Sequence, residues 1–312
     1  WVEGDGTGST LYNAITGDAI CTASTQGIHI SKMYHFARET GGHSLRKMTF
    51  QERGRMLKAL ALHLHSKKDS FYKISAATGA TKMDSWIDIE GGIGNIFANA
   101  SLRKKFGNSG HYVDGDFAPL SKGGTFIGHH IMVPKEGVAI HINAFNFPIW
   151  GMLEKIAVNL MAGVPAIVKP SEFTCYLTEV MVRDIIESKI LPEGSLQLVC
   201  GLGRGIIDHV DARDTVTFTG SASTGKVLKG LPQITENSVA FNLEADSLNA
   251  SILGKHATPE TAEYDLFIKE CVKEITIKAG QKCTAVRRII VPENLIDEVE
   301  TSIAQRLGKT TI

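Results

Sequence analysis

The chain has 312 residues, 43% of them apolar and 21% charged, an ordinary globular composition long enough for two linked cores. Its 33 basic and 33 acidic residues cancel, which leaves no electrostatic footprint for nucleic acid or an anionic membrane and points to a small-molecule partner. The five cysteines, Cys21, Cys175, Cys200, Cys271 and Cys283, are odd in number and contain no C-x-x-C pair, so reduced thiols in a cytoplasmic protein are expected, and no metal site.

Trp1-Val2-Glu3-Gly4-Asp5 has neither the basic nor the apolar region of a signal peptide. The chain begins without Met and stops at Lys309-Thr310-Thr311-Ile312 in what reads as the entry to another strand, so a piece of a longer protein is expected. Thr49-Phe50-Gln51-Glu52 is a capping box, and Met56, Leu57, Leu60 and Leu64 follow at helical spacing, predicting a helix to about Lys68. A second helical stretch covers 70–102, with an interruption expected at Gly91-Gly92 and Gly94. Residues 107–124, rich in Gly, Asp, Asn and Ser, read as a surface loop entering a hairpin. Strands are expected over 125–133 and 137–142, on either side of a turn at Pro134-Lys135-Glu136.

From 137 onward strands and helices alternate. Strands are predicted over 137–142, 166–169, 196–200, 216–219 and 239–243, and helices over 151–161, 174–188, 204–208 and 222–228. Five short apolar strands with crossover helices imply an α/β fold with a doubly wound, Rossmann-like parallel sheet. The most apolar region, 138–168, carries His141, Asn143, Asn146, Glu154, Lys155 and Asn159, which excludes a membrane span. Ligands of such sheets sit outside the carboxyl ends of the strands, where 143–148, 169–172, 219–225 and Glu244 fall. After Glu244 come a strand over 250–254, a helix opened by Thr258-Pro259-Glu260 and stopped by Gly280, a strand over 286–291 and a helix over 293–307.

Two glycine-rich stretches imitate nucleotide motifs. Gly201-Leu202-Gly203-Arg204-Gly205 is one residue short of a dinucleotide fingerprint and reads as a strand-to-helix turn. Gly220-Ser221-Ala222-Ser223-Thr224-Gly225-Lys226-Val227 is nearly a P-loop, but Val227 stands where a hydroxyl should bind magnesium, so no ATP hydrolysis is expected. That loop can still hold a phosphate through Ser221, backbone N–H groups and the helix N-terminus.

Cys283 lies in Gly280-Gln281-Lys282-Cys283-Thr284, a polar, flexible loop with a positive charge beside the thiol, a setting for a nucleophile. Glu244 suits proton handling, and Asn146, in a turn made rigid by Pro148, suits donation to an oxyanion. Taken singly, each has a plainer reading: a buried thiol, a solvated carboxylate, a loop asparagine.

Together these motifs resemble the aldehyde dehydrogenase superfamily, in order and approximate spacing over the whole chain. The resemblance rests on Asn146-Phe147-Pro148, Lys169-Pro170-Ser171-Glu172, Phe218-Thr219-Gly220-Ser221, Leu243-Glu244 and Gly280-Gln281-Lys282-Cys283. It implies that Cys283 attacks an aldehyde carbon, that Asn146 and the Cys283 N–H hold the oxyanion, and that Glu244 activates the hydrolytic water. Lys155 matches a lysine that assists proton transfer. The cofactor implied is NAD or NADP. Lys169, Ser171 and Glu172 form the ribose-binding segment, and Gly220 and Ser221 the pyrophosphate loop, with Gly225 allowing close approach.

The resemblance further implies an NAD(P)-binding domain over 1–244, a homo-oligomer formed through a hairpin near 111–134, and over 245–312 the first part of an α/β catalytic domain. Family members continue well past Ile312, with a glutamate and a phenylalanine that hold the nicotinamide, so weak or no activity is expected of this stretch alone. A narrower resemblance, in Asp84-Ser85-Trp86-Ile87-Asp88-Ile89-Glu90-Gly91-Gly92-Ile93-Gly94, in His141-Ile142-Asn143 and in Glu244-Ala245-Asp246-Ser247-Leu248-Asn249, is to the phenylacetate-degrading group. That group implies a ring-opened, CoA-linked semialdehyde substrate. Common members carry Leu-Gly-Gly-Lys where this chain has Ala245-Asp246-Ser247-Leu248. Glu172 favours NAD, since a carboxylate accepts a ribose hydroxyl and repels a 2′-phosphate, although the phenylacetate group is associated with NADP. The rivals are a CoA-acylating dehydrogenase and an inactive nucleotide-binding fragment.

Overall fold

The structure, a computed structural model, describes residues 1–311. They form two compact units, Trp1–Glu244 and Ala245–Ile312. The first opens with an antiparallel hairpin, β1 (Ser9–Tyr12) and β2 (Ala19–Ala23), then α1 (Ile30–Phe36) and α2 (His43–Lys47), none of them anticipated from the sequence.

The capping box at Thr49 forms. Its hydroxyl accepts the Glu52 N–H at 3.2 Å, while the Glu52 carboxylate accepts the Thr49 N–H at 2.7 Å. It starts α3 (Phe50–Ser75), which outlasts its expected end because Phe71 continues the buried stripe. The break before α4 (Lys82–Ser101) falls at Gly79, left-handed at φ +81°, and not at Gly91, Gly92 and Gly94, which lie within the helix. Gly91 and Gly92 serve packing. A Cβ on Gly91 would lie 2.1 Å from Trp150, so α4 can approach the following helix only without one.

The stretch expected as a loop is a strand, β3 (Tyr112–Pro119), paired antiparallel with β4 (Ile127–Met132). The hairpin is therefore β3–β4, and 137–142 pairs elsewhere. Gly and Asp had suggested a loop, but an edge hairpin exposed along most of its length tolerates both.

The main sheet comprises β5 (Ala139–Ile142), β6 (Ala166–Lys169), β7 (Leu196–Leu198), β8 (Thr215–Gly220) and β9 (Ala240–Ala245), in the order β7-β6-β5-β8-β9. β5 pairs in parallel with β6 and β8, and β6 with β7, as the alternating pattern predicts. The connections include α5 (Trp150–Met161), α6 (Cys175–Glu187), α7 (Ala222–Lys229) and α8 (Pro232–Thr235). The expected short helix over 204–208 is a run of turns, with Gly203 and Gly205 both at positive φ. Both faces of the sheet are buried: Ala166 and Val168 belong to the core beneath α3 to α6, and Ile167 to the core on the α1 side.

The second unit pairs β10 (Ala250–Ile252) in parallel with β11 (Arg288–Ile290). α9 (Ala262–Thr276) and α10 (Ile296–Leu307) pack on a small core of Leu253, Tyr264, Ile268, Leu295 and Val299. α9 starts later than expected. Thr261, not Thr258, is its cap, accepting the Tyr264 N–H at 3.3 Å. Among the described residues no helix is long and apolar enough to cross a membrane, and no group of three His, Cys, Asp or Glu side chains could hold a metal ion.

Candidate functional site

In the strand order β7-β6-β5-β8-β9 the chain runs outward from β5 to β7 and then returns to β8 on the other side. The crevice between the carboxyl ends of β5 and β8 is thus the topological switch point of the sheet, where open α/β sheets bind ligands. The Asn146 turn leaves β5 there, Ser221 leaves β8, and the Lys169 segment leaves the neighbouring β6.

The Asn146 turn is fastened from several sides. The Asn143 N–H donates to Lys169 O at 2.9 Å, and the carbonyls of Phe145 and Pro148 accept the hydroxyls of Thr174 and Thr178, both at 3.3 Å. Asp88, on α4 and 1% exposed, accepts the N–H groups of Ile149 at 3.2 Å and Trp150 at 2.8 Å, and so caps α5 from a different helix. One turn on, the Lys155 ammonium donates to Gly151 O and pairs with Glu154, each at 3.1 Å, while Glu154 also accepts the Trp150 indole N–H at 2.9 Å. Lys155 thus has a carboxylate partner at hand.

Beneath the turn lies a buried polar chain. Asn159 donates to Val164 O at 2.6 Å, which orients its amide so that its oxygen, 2.8 Å from His141 Nε2, accepts that ring's proton. Nδ1 is then left to accept from the Thr217 hydroxyl at 2.8 Å. Burial pushes His141 down to about 4, so the ring is neutral.

At the end of β6, burial pushes the Lys169 ammonium below its ordinary value, opposed by the charge of Glu172. Ser171, partly buried, leads into the turn that carries Glu172. Glu172 Oε2 and, at the end of β8, Thr219 Oγ1 are both buried and without a hydrogen-bond partner. Orphaned buried oxygens are costly, and two of them flanking a switch point fit a ligand rich in hydroxyl donors such as a nucleotide ribose.

Gly220 closes β8, and Ser221 caps α7, accepting the Thr224 N–H at 3.3 Å. At Gly225 the close approach is with the chain itself. A Cβ would meet Leu243 Cδ1 at 2.2 Å and Phe218 at 3.2 Å, so this glycine seats α7 on the sheet and does not open space for a ligand.

Glu244, exposed, is the last residue of the first unit and the penultimate one of β9. Cys283, also exposed, lies in the second unit, between the backbone kink that follows α9 and β11. The kink is made by three consecutive left-handed residues, Lys278, Ala279 and Gly280, at φ 54°, 50° and 70°. Asn249 holds the loop, its amide donating to Cys283 O at 2.6 Å and to Ala285 O at 3.2 Å, while Arg287 donates to Lys282 O at 3.2 Å. Lys282 pairs with Glu274 at 2.8 Å, so the positive charge expected beside the thiol is compensated.

Asn146, Lys169, Ser171, Glu172, Gly220, Ser221 and Glu244 therefore lie at strand ends of the first unit, Lys155 on the helix after the Asn146 turn, and Cys283 in the second unit. Sequence reasoning missed the work of Asp88, His141 and Asn249. All three lie in stretches singled out for their resemblance to the phenylacetate-degrading group, but Ile149, Thr217 and Cys283, with which they bond, are 61, 76 and 34 residues away, beyond the reach of any local spacing rule.

The chain matches the model of the aldehyde dehydrogenase family over residues 1–312. It is 42% identical over 309 residues to a 3,4-dehydroadipyl-CoA semialdehyde dehydrogenase of Aromatoleum evansii, an overlap of 99% of this chain and 60% of that protein. Against a D-glyceraldehyde dehydrogenase (NADP(+)) of Picrophilus torridus the identity is 29% over 270 residues, 84% of this chain and 51% of that one. A betaine aldehyde dehydrogenase of Staphylococcus aureus, solved in complex with NAD+, matches with a TM-score of 0.83 at 24% identity, over 99% of this chain and 59% of that one, a likeness of fold. The chain spans between half and three fifths of the length of these relatives.

Proposed function

The chain belongs to the aldehyde dehydrogenase family, and on that premise we propose that it is part of an enzyme oxidising a CoA-linked semialdehyde to the carboxylic acid with a nicotinamide dinucleotide. The observation that carries the cofactor side is the pair of buried, unpartnered oxygens, Glu172 Oε2 and Thr219 Oγ1, at the switch point. The substrate class is supported by the 42% identity with a CoA-semialdehyde dehydrogenase. The ring-opened phenylacetate-type semialdehyde and the dehydroadipyl one are its two candidates.

In this reading Lys169 and Glu172 hold the adenosine ribose, and Ser221 with the first N–H groups of α7 holds the pyrophosphate. The Glu172 carboxylate selects NAD by repelling a 2′-phosphate. Cys283 attacks the aldehyde carbon as thiolate, forming the C–S bond while the carbonyl electron pair moves to oxygen, where the Asn146 amide and the Cys283 N–H donate. A nicotinamide held there would supply the acceptor for the hydride whose loss turns the tetrahedral adduct on Cys283 into a thioester. Glu244 then takes a proton from water as the water adds to the resulting thioester, and the C–S bond breaks to return the Cys283 thiolate and release the acid. Lys155, paired with Glu154, moves the proton at the oxyanion side. The exposed apolar side chains of the β3–β4 hairpin, Phe117 and Ile131 on the strands and Phe126 in the connection among them, are the surface through which copies of the protein associate.

The test is an assay of the complete protein with both CoA-linked semialdehydes and with NAD+ and NADP+, following dinucleotide reduction and identifying the product by mass spectrometry. The expected result is the free acid, with NAD+ preferred, and no turnover by Cys283→Ala. An acyl-CoA product formed only when free CoA is added would replace hydrolysis by the acylating reaction. Dinucleotide binding without reduction by any aldehyde would leave a nucleotide-binding module.

A further inference from the structure

Three of the five cysteines of the chain, Cys21, Cys175 and Cys200, are gathered in one corner of the first unit. Cys175 is the first residue of α6 and is 2% exposed. Cys200 follows β7, whose pairing with β6 continues through the bond from the Val199 N–H to Val168 O at 2.9 Å. Side chains alternate faces along a strand. Val199 points into the core on the α1 side, so Cys200 points to the opposite face, where it packs against the same apolar cluster that contains Cys175. There the two sulfurs are neighbours, each acting on the other's ionisation, with the Gly201 N–H beside Cys175. Cys200, unlike Cys175, is partly exposed. Cys21, on β2, is exposed and within electrostatic reach of both.

We propose that Cys175 and Cys200 are a modification site, a vicinal thiol pair that a small peroxide oxidises to a disulfide tying the first turn of α6 to the segment leaving β7. Cys200, with the Gly201 N–H and the Lys169 ammonium, pulls the Cys175 thiol below its ordinary value against the opposing effect of burial, so Cys175 is the sulfur that gives up its proton to react. It attacks one peroxide oxygen. An S–O bond forms, the O–O bond breaks, and hydroxide leaves to become water. Cys200 then attacks the sulfenic sulfur, forming S–S and releasing the second oxygen as water, so that two thiols and one peroxide become one disulfide and two waters. Lys169 lies beside both sulfurs, and oxidation removes the partial negative charge that supports its ammonium. The disulfide itself stands independently of the function proposed above; its effect on dinucleotide binding rests on the role given there to Lys169.

The test is titration of the purified protein with hydrogen peroxide in a Cys283→Ser background, with peptide mapping under non-reducing conditions. The expected result is loss of two thiols and a Cys175–Cys200 cross-link that dithiothreitol reverses, that persists in Cys21→Ser and that is absent in Cys200→Ser. A cross-link from Cys175 to Cys21, or sulfinic acid at either sulfur without a cross-link, would overturn it. Oxidised protein should bind NADH about tenfold more weakly by fluorescence. Unchanged affinity in cross-linked protein would refute the coupling to Lys169. A reduced protein that binds no NADH would count against the cofactor reading and leave the thiol pair standing.

Discussion

The Asn146 turn and the Cys283 loop carry groups of the same proposed reaction and are held by opposite means. The turn is anchored by the sheet, by the hydroxyls of Thr174 and Thr178 at the start of α6 and by the buried Asp88. The loop is exposed at Cys283, follows three left-handed residues and is held by side chains of its own small unit, the Asn249 amide, the Arg287 guanidinium and the Lys282–Glu274 pair among them. The difference teaches where rigidity comes from. A buried hydrogen bond is enforced by the cost of leaving its partner unsatisfied, whereas an exposed one has water as an alternative and contributes only about 1 kcal/mol.

The largest effect expected is on activity: in the complete protein Cys283→Ala should lower semialdehyde oxidation by roughly 10³-fold or more, as removal of a nucleophile does, with unchanged dinucleotide binding. Next is Asp88→Ala, which strands two N–H groups at the start of α5 and should cost about 3 kcal/mol in urea unfolding. A much smaller cost would mean that the turn is not held through α5.

His141 gives the same side of the comparison a pH signature. Its folded value is pushed down to about 4, below the ordinary value of about 6.5. Between the two the unfolded chain binds a proton that the folded one does not. Stability is therefore full above about pH 6.5 and declines as pH falls toward 4, by about 3 kcal/mol in all. His141→Gln should flatten that slope relative to the parent in unfolding curves taken across this range.

On the exposed side, Asn249→Ala should cost only about 1 kcal/mol of stability, yet depress turnover at saturating aldehyde, because the Cys283 backbone loses its tether. An equal loss in Asn249→Asp, whose carboxylate cannot donate to a carbonyl, would sharpen the assignment. The smallest effect is Ala279→Gly, which should stabilise by about 1 kcal/mol or less by relieving a left-handed backbone at a residue with a Cβ.

The parallel sheet was legible because it contains short apolar runs such as Ala166-Ile167-Val168, buried on both faces, between amphipathic helices. The capping box at Thr49 was legible for the same reason, since its donors and acceptors lie three residues apart. Gly91 and Gly92 were misjudged as a break because nothing local shows that Trp150 fills the space above them. β3 was misjudged because an exposed edge strand has no apolar face to reveal its period, and the tether of Asn249 was hidden by the 34 residues to its partner.

By itself, the sequence determined the alternation of strands and helices, the strand ends where ligands gather, and the residue types that point to thiol, carboxylate and amide chemistry. These are written in periods and caps of a few residues, within which covalent geometry leaves little freedom. Only the tertiary structure decided that Asp88 caps α5 from another helix, that Gly225 seats a helix against Leu243, and that Cys175 and Cys200 are neighbours. Each of these depends on a contact between segments far apart in the chain, and such contacts follow from how the core packs, which no local pattern encodes.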